Sequence, residues 1–213
     1  MTRAETVIVG GGPAGSATAS GLAALGRDVV LIERTAKPHN KVCGEFLSVE
    51  TQTQLQRLGV DPLSLGAAPV EQLALYSSSR SVTSALPFRA LSLSRYRLDD
   101  ALLQCAQNNG ARLKRNVAVK SVTPAGTGWN VLCDEGEIIY CRHFVLATGK
   151  LGLRGVGDAR DSSLVGLKMH LQLAPEARRA LEGRVELFFL GSIQGYIQIK
   201  IRHPAQILIL GIQ

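Results

Sequence analysis

The sequence has few aromatic residues, few cysteines and no long apolar run, and each scarcity excludes a class of protein. Phe, Trp and Tyr make up only 5% of the 213 residues. Proteins that bind single-stranded nucleic acid use aromatic side chains as stacking platforms. The formal net charge is +7, but basic residues are scattered among acidic ones along the chain. A nucleic-acid partner is therefore not expected.

The four cysteines and four histidines show none of the spacings of a metal site or a redox motif. Cys43, Cys105, Cys133 and Cys141 contain no C-x-x-C pair, and no histidine stands at ligand spacing from them. This pattern predicts reduced thiols, no metal centre and a cytoplasmic location.

No apolar run approaches the roughly 18 residues that a membrane-spanning helix needs. The apolar run at the N-terminus has only four residues, Thr6 to Val9, before it meets glycines, which is too short for a signal peptide. With 46% hydrophobic residues the chain has enough apolar side chains for a substantial core. A globular protein is expected, and peripheral contact with a membrane stays possible.

The most informative stretch runs from Thr6 to Gly26, with the sequence TVIVGGGPAGSATASGLAALG. A β-branched run, a glycine turn and a helix of small residues follow one another. The spacing of Gly10, Gly12 and Gly15 fits G-x-G-x-x-G. In that motif the first glycine permits a tight turn, the second lets a pyrophosphate approach, and the third lets helix and strand pack closely. Helix-start amides then face the anion.

A second strand supplies the context that a lone glycine motif lacks. Arg27 to Glu33, with the sequence RDVVLIE, is a buried-type strand that ends on an acidic residue about twenty positions after the glycines. A carboxylate at this place holds a ribose hydroxyl in dinucleotide-binding folds. The stretch therefore predicts a dinucleotide site, either in a larger enzyme or in a plain NAD-binding module.

The rest of the chain predicts an α/β fold, a Rossmann-like three-layer domain. Its mainly parallel sheet is expected to contain Thr6–Gly10, Val29–Glu33, the strand after Gly110 and Phe144–Thr148. A β-meander is predicted at Val117–Cys141. Helices are predicted at 48–58 and 97–109, and three antiparallel strands near residues 70–93 read as an insertion.

Two domains are predicted, the first over residues 1–160 and the second a partial, antiparallel substrate-domain sheet over 161–213. A glycine- and charge-rich linker at 152–162 separates them. Apolar or alternating strands are expected at 164–173, 185–190, 195–201 and 206–210. If this sheet is unfinished, an exposed apolar edge follows around Ile207–Leu210.

Four stretches together resemble FAD-dependent oxidoreductases of the p-hydroxybenzoate hydroxylase-like superfamily. They are TVIVGGGPAGSATA, LIERTAKPHNKVCGEFLS, SRYRLDDALLQCAQNNGARL and VLATGKLGLRG. KVCGEFLS and VGLKMHLQLAP make the chain most similar to the geranylgeranyl reductase-like flavoproteins within it. The resemblance covers most of residues 5 to 175.

The resemblance implies FAD as cofactor and a set of residues that contact it. Those expected around the pyrophosphate are Gly10, Gly12, Pro13, Ala14 and Gly15. Glu33 would bind the adenosine ribose, Arg34 would flank the adenine, and Val119 would bracket the adenine through its backbone. Gly149 would close the nucleotide end of the sheet.

The resemblance places a second group of residues near the flavin. The Cys43–Gly44 turn would lie close to the isoalloxazine ring, and Arg95 would reach the cofactor. Cys43 is the candidate catalytic residue, and Lys41 beside it could lower the thiol pKa or simply be solvated. An inert cysteine and a surface arginine are the plain alternatives.

The resemblance implies an NAD(P)H-linked oxidoreductase acting on an apolar small molecule, isoprenoid or aromatic. Reductase, monooxygenase and halogenase chemistry all stay open. Family members carry a later Gly-Asp-Ala motif, and the only candidate, Gly157-Asp158-Ala159, follows the ATG strand too closely. We therefore expect a C-terminally truncated or frameshifted chain that holds FAD loosely. The alternative function is a non-catalytic remnant with a partial dinucleotide site.

Overall fold

A computed structural model describes residues 2–153, 156, 165–189, 195–201 and 206–212. The helices in these residues are α1 (Pro13–Ala24), α2 (Val49–Arg57), α3 (Arg95–Asn108) and α4 (Pro175–Leu181). The strands are β1 (Thr2–Val9), β2 (Val29–Glu33), β3 (Phe46–Leu47), β4 (Ala68–Ser77), β5 (Arg80–Ser92), β6 (Arg112–Arg115), β7 (Val119–Ala125), β8 (Gly128–Cys133), β9 (Ile138–Leu146), β10 (Val165–Leu171), β11 (Arg184–Phe189), β12 (Gly195–Ile201) and β13 (Gln206–Ile212).

The contacts divide the chain into two units, neither of which is a single segment. The first consists of residues 1–38, 58–60 and 98–161, and the second of 39–57, 61–97 and 162–213. Each unit contains one sheet.

The sheet of the first unit has the order β6-β2-β1-β9-β8-β7. β6, β2, β1 and β9 are parallel neighbours, and β9, β8 and β7 form an antiparallel meander. Phe144 pairs with Val7, so the predicted neighbour of the first strand is confirmed. The last strand of the predicted meander and the strand ending at Thr148 were expected to be separate, but they form one strand, β9. One edge of β9 pairs with β8 and the other edge pairs with β1.

Two apolar layers enclose this parallel sheet, as expected when both faces are covered. On one face Ile8, Val29 and Leu31 pack with small residues of α1 and with Leu103 of α3. On the other face Val7, Val30 and Ile32 pack with residues of the meander. Because both sides of β1 and β2 are buried, these strands are uninterrupted apolar runs, and this is why the sequence revealed them.

The sheet of the second unit has the order β10-β13-β12-β11-β4-β5-β3. β4 and β5 form the antiparallel hairpin predicted near residues 70–93, but β4 also pairs in parallel with β11. The reading of these strands as an insertion in the first domain is therefore corrected: they share a sheet with the strands after residue 165. The domain boundary at 160/161 stays a prediction.

Local details of the second unit also differ from expectation. Two long strands replace the predicted three, because β5 continues through Pro87 and does not end there. The pairing of β5 with β4 shifts its register at this point: Val70 pairs with Ala90, but Gln72 pairs with Ala85. The helix α4 was missed. β13 lies between β10 and β12, so the edge predicted around Ile207–Leu210 is wrong. The backbone of β13 is therefore hydrogen-bonded on both sides. The alternation of apolar and polar residues does not show which strands are neighbours, so this pairing was not predicted.

Two other expectations fall outside the described residues. Gly157-Asp158-Ala159 and most of the 152–162 linker belong to this part of the chain. None of the helices in the described ranges is long and apolar enough to cross a membrane.

Candidate functional site

The candidate site lies where β1 ends and α1 begins. The Gly10 amide donates to the Ile32 carbonyl oxygen over 2.9 Å, which holds the turn against the end of β2. Gly10 has a φ of +110°, a conformation that side-chain-bearing residues rarely adopt. Gly12 precedes the helix and Pro13 is its first residue, where a proline loses no helical hydrogen bond.

Two glycines of the motif are required by close packing. A Cβ atom on Gly15 would lie 1.9 Å from the Gly10 carbonyl oxygen, and one on Gly10 would lie 2.4 Å from the Ala147 carbonyl oxygen. The first turn of α1, the glycine turn and the end of β9 therefore meet without room for side chains. Ala147 is a part of this cradle that the sequence did not single out.

Gly12 has a different status. Its φ of −73° and ψ of −178° are open to any residue, so backbone conformation does not require glycine there. Access for a ligand to the neighbouring amides is the remaining reason for a glycine, and that role stays a prediction.

The N-terminal turn of α1 presents amides that can bind an anion. Among the described residues no side chain caps the helix at Gly12, and its first turn has no acidic residue. First-turn amides such as those of Ala14 and Gly15 lack helical acceptors and carry the positive end of the helix dipole. This arrangement suits a pyrophosphate.

Glu33 lies beside this turn and is only 6% exposed. Its Oε2 atom accepts a hydrogen bond from the Gly11 amide over 2.7 Å. Its Oε1 atom accepts from the Thr35 amide over 3.0 Å and from the Thr35 hydroxyl over 2.7 Å. The carboxylate is thus oriented by the turn itself, at the strand end where a ribose would be held.

Gly11 and Thr35 were missed as site residues. A Cβ atom on Gly11 would lie 2.9 Å from the Cβ of Glu33, so glycine is needed for this approach. The sequence did carry a signal for both residues, since Gly11 is the middle of three consecutive glycines and Thr35 follows Glu33 by two positions. Neither residue belongs to the G-x-G-x-x-G pattern.

The other predicted adenosine-side residues lie at several places in the first unit. The Val117 amide donates to the Glu33 carbonyl oxygen over 3.3 Å, which brings the chain just before Val119 to the end of β2. Val119 is half-buried in β7, whereas Arg34 is exposed. Gly149 follows β9 with a φ of +70°. Their contacts with a cofactor stay predictions.

Lys41, Cys43, Gly44 and Arg95 belong to the second unit. Cys43 and Gly44 are half-buried. The Cys43 sulfur accepts a hydrogen bond from the Glu45 amide over 3.4 Å, and the Arg95 amide donates to the Glu45 carboxylate over 3.1 Å. Glu45 was missed as a site residue. The catalytic role suggested for Cys43 stays a prediction.

The thiols of β8 and β9 are buried and protonated. Burial raises the pKa of Cys133 to about 11, and the nearby Glu137 carboxylate adds to this effect. Burial also raises the pKa of Cys141. Both thiols are therefore poor nucleophiles at neutral pH.

The first unit fits a dinucleotide. It provides a glycine cradle that added Cβ atoms would fill, first-turn amides for the diphosphate and a carboxylate for the ribose. In agreement with this fit, residues 3–149 match the model of a family described as the FAD binding domain.

The comparisons with whole proteins agree with this match. A menaquinone reductase of Mycolicibacterium smegmatis is 29% identical over 224 residues, which cover 90% of this chain and 53% of that protein. The chain thus spans about half the length of the menaquinone reductases that it matches.

Two solved structures show the same fold. A geranylgeranyl bacteriochlorophyll reductase-like protein of Thermoplasma acidophilum has a TM-score of 0.76 and 21% identity, with 99% of this chain and 57% of that one covered. A probable FAD-dependent monooxygenase of Pseudomonas aeruginosa has a TM-score of 0.80 and 16% identity, with 99% and 60% covered. The family match, the glycine cradle and this fold lead to one conclusion: the chain belongs to the FAD binding domain family.

Proposed function

We propose that this chain is the FAD-binding part of an FAD-dependent oxidoreductase that reduces an apolar quinone or isoprenoid compound with electrons from NAD(P)H. The observation that carries the proposal is the glycine turn, with the Glu33 carboxylate hydrogen-bonded into it over 2.7 Å. Similarity to menaquinone reductases over 90% of the chain favours a quinone as the substrate class.

In this proposal the residues of the first unit bind and orient the cofactor. The first-turn amides of α1 would receive the pyrophosphate of FAD, and Glu33 would accept hydrogen bonds from the adenosine ribose. The bound flavin supplies the hydride chemistry. Arg34 and Val119 would flank the adenine, and Gly149 would close the same end of the sheet.

Cys43, Gly44 and Arg95 are proposed to lie near the isoalloxazine ring, with Lys41 adjacent in sequence. Cys43 is proposed as a thiol that acts on the substrate or adjusts the flavin environment. A cytoplasmic location and possible peripheral membrane contact belong to the same proposal.

The FAD part is tested by the substitution Gly12→Val. A branched side chain there would occupy the approach to the first-turn amides, while the φ of −73° allows valine without backbone strain. Loss of two charge-assisted hydrogen bonds, at about 1.5–3 kcal/mol each, corresponds to a fall in FAD affinity of roughly a hundredfold or more. Titration followed by quenching of flavin fluorescence measures it.

Gly21→Ala is the matched control, because it lies in the same helix with no atom within 4 Å of an added Cβ. Its FAD affinity should equal that of the parent. Equal affinity in Gly12→Val and the parent would remove the glycine turn as the pyrophosphate site.

The oxidoreductase part needs a separate measurement. FAD-loaded chain is mixed with NADH or NADPH without oxygen, and a short-chain naphthoquinone is then added. The proposal expects bleaching of the flavin by one nicotinamide and recovery of its colour with quinone. A flavin that binds but is not bleached by either nicotinamide would contradict the activity while leaving the FAD site intact.

A further inference from the structure

The turn at residues 41–45, named here the Cys43 turn, ends in an unusual backbone conformation. Glu45 has a φ of +51° and is 2% exposed. A glutamate with positive φ is uncommon, and a buried carboxylate is costly, so such a residue persists only where its surroundings fix it. The question is which groups fix it.

The first groups are two backbone amides at the start of α3. The Leu93 amide donates to the Glu45 carbonyl oxygen over 3.0 Å, and the Arg95 amide donates to its Oε1 atom over 3.1 Å. These two bonds fix the end of the Cys43 turn through the backbone and the carboxylate of Glu45.

Lys168 of β10 brings a positive charge to the Glu45 carboxylate. Its Nζ atom is ion-paired with Glu45 Oε1, and the two side chains are 5% and 0% exposed. The same ammonium group donates to the Lys41 carbonyl oxygen over 3.1 Å. One buried lysine therefore contacts both ends of the Cys43 turn.

Gln198 of β12 contacts the middle of the turn. Its amide nitrogen lies 3.4 Å from the Gly44 carbonyl oxygen, and it is 7% exposed. Lys168 and Gln198 each pair with Ile209 of β13, one from each side. They therefore stand at one level of the sheet on the same face, because directly paired residues share a face.

We infer that Lys168 and Gln198 are positioning residues that hold the Cys43 turn, Lys168 through the buried Glu45 carboxylate and Gln198 through the Gly44 carbonyl. Removing one partner of a buried ion pair is costly, because the other partner loses a charge that stabilises it. Without Lys168 the Glu45 carboxylate moves toward water, and Cys43 moves with it. The part of this inference that concerns a flavin-side turn rests on the proposed function.

The direct readout is the accessibility of the Cys43 thiol. The chain is treated with iodoacetamide, and the alkylation of each cysteine is followed by peptide mass mapping. In Lys168→Met, we expect Cys43 to be alkylated roughly tenfold faster or more, since the turn opens. Cys105, in the other unit, is the internal standard, and its rate should not change.

Three variants separate positioning from a general loss of charge or stability. Arg89→Met removes a cation from an ion pair in the same unit whose side chains are both 62% exposed, and it should leave the Cys43 rate unchanged. Lys168→Arg keeps a cation of different shape, so its Cys43 rate should lie between the rates of the parent and of Lys168→Met. Gln198→Leu should raise it by about twofold to fivefold, since a neutral hydrogen bond contributes less than the ion pair.

If Lys168→Met does not fold, Gln198→Leu decides the question, and an unchanged Cys43 rate in that variant overturns the inference. If Lys168→Met folds, an unchanged Cys43 rate, or an equal rise for Cys43 and Cys105, overturns it as well. The assay needs no cofactor. A chain that fails to bind FAD yet shows the expected rates would refute the proposed function and keep the positioning role.

Discussion

The two units differ in how their central strands are connected along the chain. In the first, β1, α1 and β2 follow each other in sequence, and the strands are neighbours in space. In the second, β4 pairs with β11, and the joined residues Gln72 and Arg184 are 112 positions apart. The first unit therefore contains a β1-α1-β2 segment that local signals specify, although β1 also pairs with the distant β9, whereas the pairing of β4 with β11 is long-range.

Both interiors combine apolar packing with buried polar groups. The strands β1 and β2 of the first unit bury Val7, Ile8, Val30 and Leu31 with essentially no exposure. Charged side chains are buried in both units, among them Glu33 in the first and Glu45 and Glu186 in the second. Apolar packing tolerates many sequences, whereas buried polar groups need particular partners. We therefore expect substitutions at the packed glycine turn to act through steric fit, and substitutions at buried polar groups of either unit to act through lost partners.

The largest effect is expected from Gly15→Ala. The new Cβ would lie 1.9 Å from the Gly10 carbonyl oxygen, so the helix or the turn must move. We expect a loss of about 3 kcal/mol in the free energy of unfolding, the upper range for overpacking. Denaturation followed by the fluorescence of Trp129, the one tryptophan of the chain and a residue of the first unit, measures it.

Gly21→Ala in the same helix is the control for this substitution. An added Cβ there meets no atom within 4 Å, so alanine should stabilise α1 by about 0.5–1 kcal/mol through its higher helix propensity. If the two alanine variants had equal stability, steric fit would not be what sets the glycine turn.

A smaller effect is expected from Glu33→Ala. The Gly11 amide and the Thr35 groups would lose their acceptors, and a buried unsatisfied donor costs about 1–3 kcal/mol. The substitution should lower both the stability of the first unit and its affinity for FAD. Asp28→Ala removes a carboxylate that lies just before β2 and is 54% exposed, and it should change the stability by only a few tenths of a kcal/mol.

The second unit is probed by Tyr76→Phe. The Tyr76 hydroxyl donates to the buried Glu186 carboxylate over 3.1 Å, while its ring stacks on Phe188 at 4.5 Å between centroids. Phenylalanine keeps the stacking and loses the hydrogen bond, so we expect a loss of about 1–1.5 kcal/mol. Urea denaturation followed by circular dichroism measures this. Tyr96→Phe, at an exposed ring, should be neutral, and equal losses in both variants would contradict the role of the buried contact.

The smallest effect is expected at the surface of the first unit. Lys114 Nζ lies 2.8 Å and 2.9 Å from the two carboxylate oxygens of Glu137, and this contact lowers the pKa of Glu137. Both side chains are about one-third exposed, so solvent screening limits the loss in Lys114→Met to about 0.5 kcal/mol.

The pH dependence of this pair has a definite sign. Because the folded pKa of Glu137 is depressed, the stabilisation is present above the unfolded pKa and disappears as the pH falls through the folded value. Stability curves of the parent and Lys114→Met should therefore differ at neutral pH and converge in acid. A difference that persists in acid would show that packing of the lysine stem, and not its charge, causes the loss.

The sequence alone determined the strands of the parallel sheet, the place of Phe144 beside the first strand and the glycine turn. Each of these follows from short-range signals: apolar runs, glycine spacing, and an acid at the end of the next strand. The pairing of Phe144 with Val7 was predictable because the apolar strand ends on a glycine suited to the same sheet edge.

Only the tertiary structure decided the partners of polar groups. Glu33 was expected to serve a ligand, yet the fold also gives its carboxylate to the Gly11 amide. Glu45 and Lys168 are 123 residues apart, and no local pattern marks them as a pair. Strand alternation indicates which residues share a face but not which strands are adjacent, because the partner of an edge is chosen by the folded chain as a whole. That choice placed β4 beside β11 and brought Lys168 and Gln198 to the Cys43 turn.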